Sequence, residues 1–267
     1  MPLEGFIPYD SKAAERYEKK RWWLGISLGD MLDKAADLYP RKEALIGSGK
    51  RYTYSELRRQ TDTMAYRLLQ TGFKPGERVL LQLPNWPEFV ISYFALQKAG
   101  LIVVLLTVNH TDREISHLID LTRPSGWILP DRYRQTDFLP LVKQIQQKNP
   151  MLDKIVLAGP QIPDGYLGLD DMIRPGLTDP DIRAVLENAR PNPHDVCQIL
   201  PSGGTTGLPK GAPRTHNDYL CNVEYKSRAW HINVSDTCLV ATTVGHNLAL
   251  LVCITGPLFH GATVVML

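Results

Sequence analysis

Among its 267 residues the chain has only four cysteines, Cys197, Cys221, Cys238 and Cys253, and no C-x-x-C pair. That excludes a disulfide framework and zinc-knuckle spacing, and it implies reduced thiols in a cytoplasm. Net charge is also scarce: 30 Lys and Arg stand against 28 Asp and Glu, and the basic residues form no stripe. Nothing in this balance asks for nucleic acid. Apolar runs stay well short of the roughly 18 residues of a membrane helix, and the first twenty residues carry Glu4, Asp10, Glu15 and Glu18 instead of an apolar leader segment. Neither a membrane anchor nor a secretion signal is expected. Internal repeats and low-complexity tracts are absent too. What is there is an ordinary globular composition, 43% apolar and 22% charged, enough for one large domain or two smaller ones.

Periodicity indicates the fold class. Leu57, Met64, Ala65, Leu68 and Leu69 recur at helical spacing between Thr53 and Gly72, and Gly72 suits the left-handed residue that closes a helix. Val79 to Leu83, Ile102 to Leu106, Trp127 to Leu129 and Ile155 to Leu157 are short apolar runs. Between them, Phe89, Val90, Tyr93 and Phe94 share a helical face after Asn85 and Pro87, and Glu114 to Leu121 can form another helix. Apolar strands alternating with helices are the pattern of a parallel sheet covered on both faces. The fold class is α/β. From Arg174 to Pro193 the chain is rich in proline and polar residues, with a short helix around Ile182 to Leu186, and reads as a connection. The expected division is a first α/β subdomain with an N-terminal extension over 1–190 and the start of a second over 191–267. The second has strands at Val196 to Leu200, Cys238 to Thr243 and Thr263 to Leu267, with a helix from about Asn217. The last strand reads as buried with nothing after it to cover it, so the chain looks cut inside a domain.

The strongest chemical signal is Leu200-Pro-Ser-Gly-Gly-Thr-Thr-Gly-Leu-Pro-Lys-Gly211. Its glycines let backbone N–H groups approach an anion, Ser202, Thr205 and Thr206 offer hydroxyls, and Lys210 offers a full charge, so polyphosphate is the natural guest. Pro209 before the lysine and Gly211 after it do not fit the common P-loop, which disfavours a kinase or GTPase. A flexible surface turn has the same composition, but the placement directly after a buried strand favours the phosphate site.

The run Ser-Gly-Gly-Thr-Thr-Gly-Leu-Pro-Lys-Gly resembles the phosphate-binding signature of adenylate-forming acyl and aryl acid ligases. Pro213-Arg-Thr-His-Asn-Asp-Tyr219 and Arg21-Trp-Trp-Leu-Gly-Ile-Ser-Leu-Gly-Asp30 are similar to the freestanding aryl acid branch, such as the 2,3-dihydroxybenzoate–AMP ligases of siderophore synthesis. Tyr52-Thr-Tyr-Ser-Glu-Leu57, Gly76-Glu-Arg-Val79 and Leu83-Pro-Asn-Trp-Pro-Glu-Phe89 fall in the family's order, and the resemblance runs from about Arg21 to the end. It implies the N-terminal portion of an acyl-adenylate synthetase-like enzyme that uses ATP and Mg2+. Such an enzyme activates an aryl carboxylic acid to an acyl adenylate, releases pyrophosphate, and transfers the acyl group to coenzyme A or a carrier-protein phosphopantetheine.

By that resemblance Ser202, Gly203, Gly204, Thr205, Thr206, Gly207 and Lys210 bind the ATP phosphates. His246 and Asn247, in Val244-Gly-His-Asn-Leu248, face the acid, with Asn247 placed for an ortho hydroxyl. Alone, Asn247 reads more readily as a helix N-cap with His246 packed beside it; its position after the phosphate loop turns the reading towards the acid pocket. The sequence departs from the siderophore-type pattern at Leu248, where those ligases carry an aromatic residue, and at Gly245. The family's magnesium ligands, hinge and mobile lysine-bearing domain are expected beyond Leu267, so the chain alone is expected to be inactive. An acyl-CoA synthetase for another acid and a noncatalytic module with the same fold remain the alternatives. Glu114-Ile-Ser-His117, near His110, has metal-motif spacing but no second copy, and reads as a solvated helix face. Trp22 and Trp23 read as core packing or an N-terminal contact.

Overall fold

The computed structural model describes residues 3, 5–176, 180–202 and 207–267. Seven strands form the larger sheet, in the spatial order Lys210–Thr215, Val196–Ser202, Ile102–Leu105, Arg78–Leu81, Gly126–Pro130, Lys154–Ala158 and Leu167–Gly168. Every pairing is parallel except the first, an antiparallel hairpin. Side chains alternate across this sheet: Val79, Leu81, Val103, Leu105 and Ile128 enter one core, while Leu80, Ile102, Val104, Trp127 and Leu129 enter the other. Burial on both faces is why these strands read as continuous apolar runs.

Helix Tyr54–Gln70 begins at a capping box in which Thr53 and Glu56 exchange side-chain and backbone hydrogen bonds, and it is followed by Gly72 at φ 92°. Helix Asp112–Thr122 begins the same way with Thr111 and Glu114. Helix Pro87–Lys98 departs from expectation: in place of one apolar face, all its residues but Glu88 are buried. It lies between the two sheets, against strands Arg78–Leu81 and Ile102–Leu105 on one side and Glu43–Gly47 on the other, so no side of it faces water.

The smaller sheet has the order Thr237–Val240, Thr263–Met266, Glu43–Gly47, Lys50–Thr53. Here two expectations are corrected. The strand ending at Met266 is not left uncovered: Val264 pairs with Leu45 on one side and with Cys238 on the other, both in parallel. Nor does residue 190 separate two sheets. Strands Val196–Ser202 and Lys210–Thr215 extend the sheet built by residues 78–168, and residues 43–53 join the sheet completed by 237–266.

Candidate functional site at the carboxyl ends of the parallel strands

The phosphate-loop segment is a hairpin connection. Val196–Ser202 and Lys210–Thr215 pair antiparallel with Ser202 opposite Lys210, and the Ser202 hydroxyl donates to the Lys210 carbonyl at 3.3 Å. Pro213 argues against a central strand, but Lys210–Thr215 is the outer strand of its sheet, where a missing N–H is tolerated. Of the expected phosphate ligands, Gly203, Gly204, Thr205 and Thr206 lie outside the described residues. Ser202, Gly207 and Lys210 are exposed at the mouth of the hairpin, open to a solute. Pro209 is buried, and its carbonyl accepts a hydrogen bond from His117 Nε2 at 3.1 Å. His117 therefore tethers the end of the loop, which a purely solvated helix face would not do. Glu114 acts locally instead, its Oε2 accepting from the Thr111 N–H at 2.8 Å, and that bond holds its carboxyl below the usual range. Among the described residues no group of three or more His, Cys, Asp and Glu side chains is arranged to hold a metal.

The stretch Val244 to Leu248 reaches the same edge of the sheet. A Cβ on Gly245 would lie 2.1 Å from the Leu106 carbonyl oxygen, so only glycine lets this loop rest directly on the backbone leaving strand Ile102–Leu105. That contact explains the departure at Gly245. A second anchor is Asn85, which lies beyond the carboxyl end of Arg78–Leu81. Its Nδ2 donates to the Val240 carbonyl at 3.2 Å and the Thr242 carbonyl at 3.0 Å, and its Oδ1 accepts from the Val244 N–H at 3.1 Å. Strand Thr237–Val240 consequently stops three residues before the expected Thr243. Sequence reasoning misses Asn85 as a site-building residue, although an asparagine between two prolines directly after a buried strand is the available signal.

His246 and Asn247 divide the roles that sequence reasoning left open. The Leu248 N–H donates to His246 Nδ1 at 3.2 Å, and the Leu250 N–H donates to the His246 carbonyl at 3.2 Å. His246, itself exposed, thus caps the turn that leads into the π-helix Ala249–Thr255. Asn247 is released from capping and is half-buried, its Oδ1 accepting from the Tyr219 hydroxyl at 3.2 Å. Leu248 is 53% exposed.

The two segments with the aryl acid resemblance, almost 200 residues apart, meet in space. The Gly25 N–H donates to Asn217 Oδ1 at 3.1 Å, and the Leu28 N–H donates to His216 Nδ1 at 3.1 Å. Burial lowers the His216 pKa to about 4, which keeps the ring neutral and able to accept. Asp218 closes the capping box with Thr215, pairs with Arg214, and receives the Tyr9 hydroxyl at 3.2 Å. Burial, with Asp218 beside it, pushes Tyr9 up to about 12. Trp23 is buried against Tyr9, Tyr17 and His194, whereas Trp22 is 37% exposed.

Comparison with known proteins agrees with this geometry. The family model described as AMP-binding enzyme matches residues 32–267. The chain belongs to the AMP-binding enzyme family. It is 33% identical to a salicylyl-CoA synthase / salicylate adenylyltransferase of Streptomyces over all of this chain and 48% of that protein. It is 31% identical to the 2,3-dihydroxybenzoate-AMP ligase of Bacillus subtilis, covering 99% of this chain and 47% of that one. Among solved structures, apo MbtA of Mycobacterium smegmatis superposes with a TM-score of 0.86 at 29% identity, over 98% of this chain and 48% of that one. The anthranilate CoA ligase AuaEII in complex with anthranoyl-AMP superposes with a TM-score of 0.77 at 26% identity, over 91% of this chain and 45% of that one. This AMP-binding chain thus spans about half the length of the curated relatives it matches.

Proposed function

We propose that this AMP-binding chain contributes the ATP phosphate loop and one wall of the acid pocket to a ligase that activates a hydroxybenzoate-like acid. One observation carries the reading: the hairpin mouth at Ser202 and Lys210 and the Val244–Asn247 loop stand at the same carboxyl edge of the parallel strands, where α/β sheets bind ligands. In the reaction a carboxylate oxygen of the acid bonds to the α-phosphorus of ATP as the bond to pyrophosphate breaks. A thiol, of coenzyme A or of a carrier-protein phosphopantetheine, then takes the acyl group and AMP leaves.

Ser202, Gly203, Gly204, Thr205, Thr206, Gly207 and Lys210 are proposed to neutralise and orient the β- and γ-phosphates, because charge that builds on a leaving polyphosphate is stabilised by prepositioned donors and cations. An exposed hydroxyl and an exposed lysine opposite each other at the hairpin mouth suit that anion. Mg2+ bound with the ATP would add charge neutralisation there. His246 and Asn247 are proposed to face the acid. Four free thiols suit a reducing cytoplasm as the compartment. The relatives named for salicylate and 2,3-dihydroxybenzoate support an aryl acid over an aliphatic one.

The test is acid-dependent exchange of pyrophosphate into ATP, run on the complete polypeptide that carries this chain with benzoic, salicylic, dihydroxybenzoic and aliphatic acids. Exchange is expected with the hydroxybenzoates. Exchange with none of the acids would overturn the ligase reading, and exchange with aliphatic acids alone would move it to another acyl-CoA synthetase.

A further inference from the structure

Asn247 turns the oxygen end of its amide inward. Its Oδ1 accepts from the Tyr219 hydroxyl at 3.2 Å, and Tyr219 is fully buried in helix His216–Ala229. Behind Tyr219 stands Gln198, also fully buried, in the strand that leads to the phosphate loop. The Tyr93 hydroxyl donates to Gln198 Oε1 at 2.8 Å. Among the described residues Gln198 Nε2 has no hydrogen-bond partner. A phenol has one hydrogen to give. Tyr219 gives that hydrogen to Asn247 Oδ1, and the Asn247 NH2 is what remains for the pocket.

We propose that Tyr219 is a positioning residue that holds the Asn247 amide with its N–H donors toward the acid, so that the site selects aryl acids whose ortho substituent is an oxygen acceptor over those bearing an ortho amine. This rests on the reading above that Asn247 faces the acid. The discrimination follows from hydrogen counts. A 2-hydroxybenzoate donates its phenolic hydrogen to its own carboxylate, which leaves the phenolic oxygen free to accept from Asn247. A 2-aminobenzoate has two N–H groups; one meets its carboxylate and the other points at the Asn247 donors. A buried donor facing a donor leaves both unpaired, the situation that sites built on hydrogen bonding reject most strongly.

The test compares kcat/KM for pyrophosphate exchange with benzoate, 2-hydroxybenzoate and 2-aminobenzoate in the complete polypeptide, as wild type, Tyr219→Phe and Asn247→Asp, with a thermal melt of each. The wild type should favour 2-hydroxybenzoate over 2-aminobenzoate by at least about tenfold. In Tyr219→Phe the amide is free to turn over and offer Oδ1 to the amine, so the preference should fall to about threefold or less, with 2-aminobenzoate gaining in absolute rate. A merely structural role for the tyrosine would give no such gain. Asn247→Asp, which offers only acceptors, should reverse the preference, and it decides the matter if Tyr219→Phe does not fold. An unchanged ratio in folded Tyr219→Phe, or a persistent 2-hydroxy preference in Asn247→Asp, overturns the proposal. If benzoate is exchanged but the ratio does not respond, this inference alone fails; if the wild type exchanges none of the three, the ligase reading fails with it.

Discussion

At the scale of single residues, Lys210 and Cys253 show how position sets chemistry. Lys210 is exposed opposite Ser202 and makes no packing contact worth keeping for stability. Lys210→Ala should therefore leave the unfolding free energy within about 0.5 kcal/mol. A lost charged contact to phosphate should lower kcat/KM for ATP by about ten- to a hundredfold. Urea denaturation and exchange kinetics measure the two, and equal kinetics at low ATP would remove Lys210 from the site. Cys253, on the π-helix that follows Asn247, has its pKa lowered by the neighbouring Cys238 thiol. Its partner is raised in turn, and burial raises Cys197 and Cys221. Thiolate is the reactive form. Iodoacetamide at neutral pH should label Cys253 first in peptide mass mapping, and Cys238→Ala should slow it. Equal labelling of Cys221 and Cys253 would contradict this.

At the scale of elements, the pocket loop is built by tethers from other parts of the chain. The loop after strand Thr237–Val240 makes three hydrogen bonds with Asn85 and rests on Leu106 through Gly245. Asn85→Ala removes all three bonds and leaves backbone groups to water, which should cost about 2 kcal/mol in urea denaturation. Because the loop carries Asn247, while Asn85 bonds to no described residue of the hairpin, KM for the acid should rise and KM for ATP should not. A parallel rise in both would show that Asn85 supports the whole edge of the sheet. The hairpin has its own tether in His117 and Pro209, which separates the two halves of the site mechanically.

At the scale of the whole molecule, the N-terminal segment is held through His216, whose unprotonated Nδ1 accepts from the Leu28 N–H. Folded His216 has a pKa lowered to about 4 from 6.5, chiefly by burial, with Asp30 opposing the shift. The unfolded chain takes up a proton as pH falls below about 6.5, and the folded chain does not until about 4. Stability from this group is therefore complete above pH 6.5 and lost progressively down to about 4, on the order of 3 kcal/mol in all. Urea midpoints across that window should show the decline, and His216→Gln, which keeps an acceptor but does not titrate, should flatten it. A wild-type curve parallel to the variant's would refute the assignment. Much of this molecule was legible from residues alone, because the relevant forces are local. Strands buried on both faces appear as apolar runs such as Ile102 to Leu106, the spacing of Leu57, Met64, Ala65, Leu68 and Leu69 marks a helix, and the order of residues 202–210 points to the family to which the chain belongs. Helix Pro87–Lys98 misled only in its apparent single face, since nothing local reveals a second sheet behind it. What tertiary structure alone decided is whatever joins distant residues. Strands Glu43–Gly47 and Lys50–Thr53 mix charged with apolar residues and do not stand out until Val264 pairs with Leu45. Asn247 could have capped a helix until His246 took that place and packing brought the buried Tyr219 hydroxyl to the Asn247 Oδ1, because a hydrogen bond depends on which partner packing brings within reach.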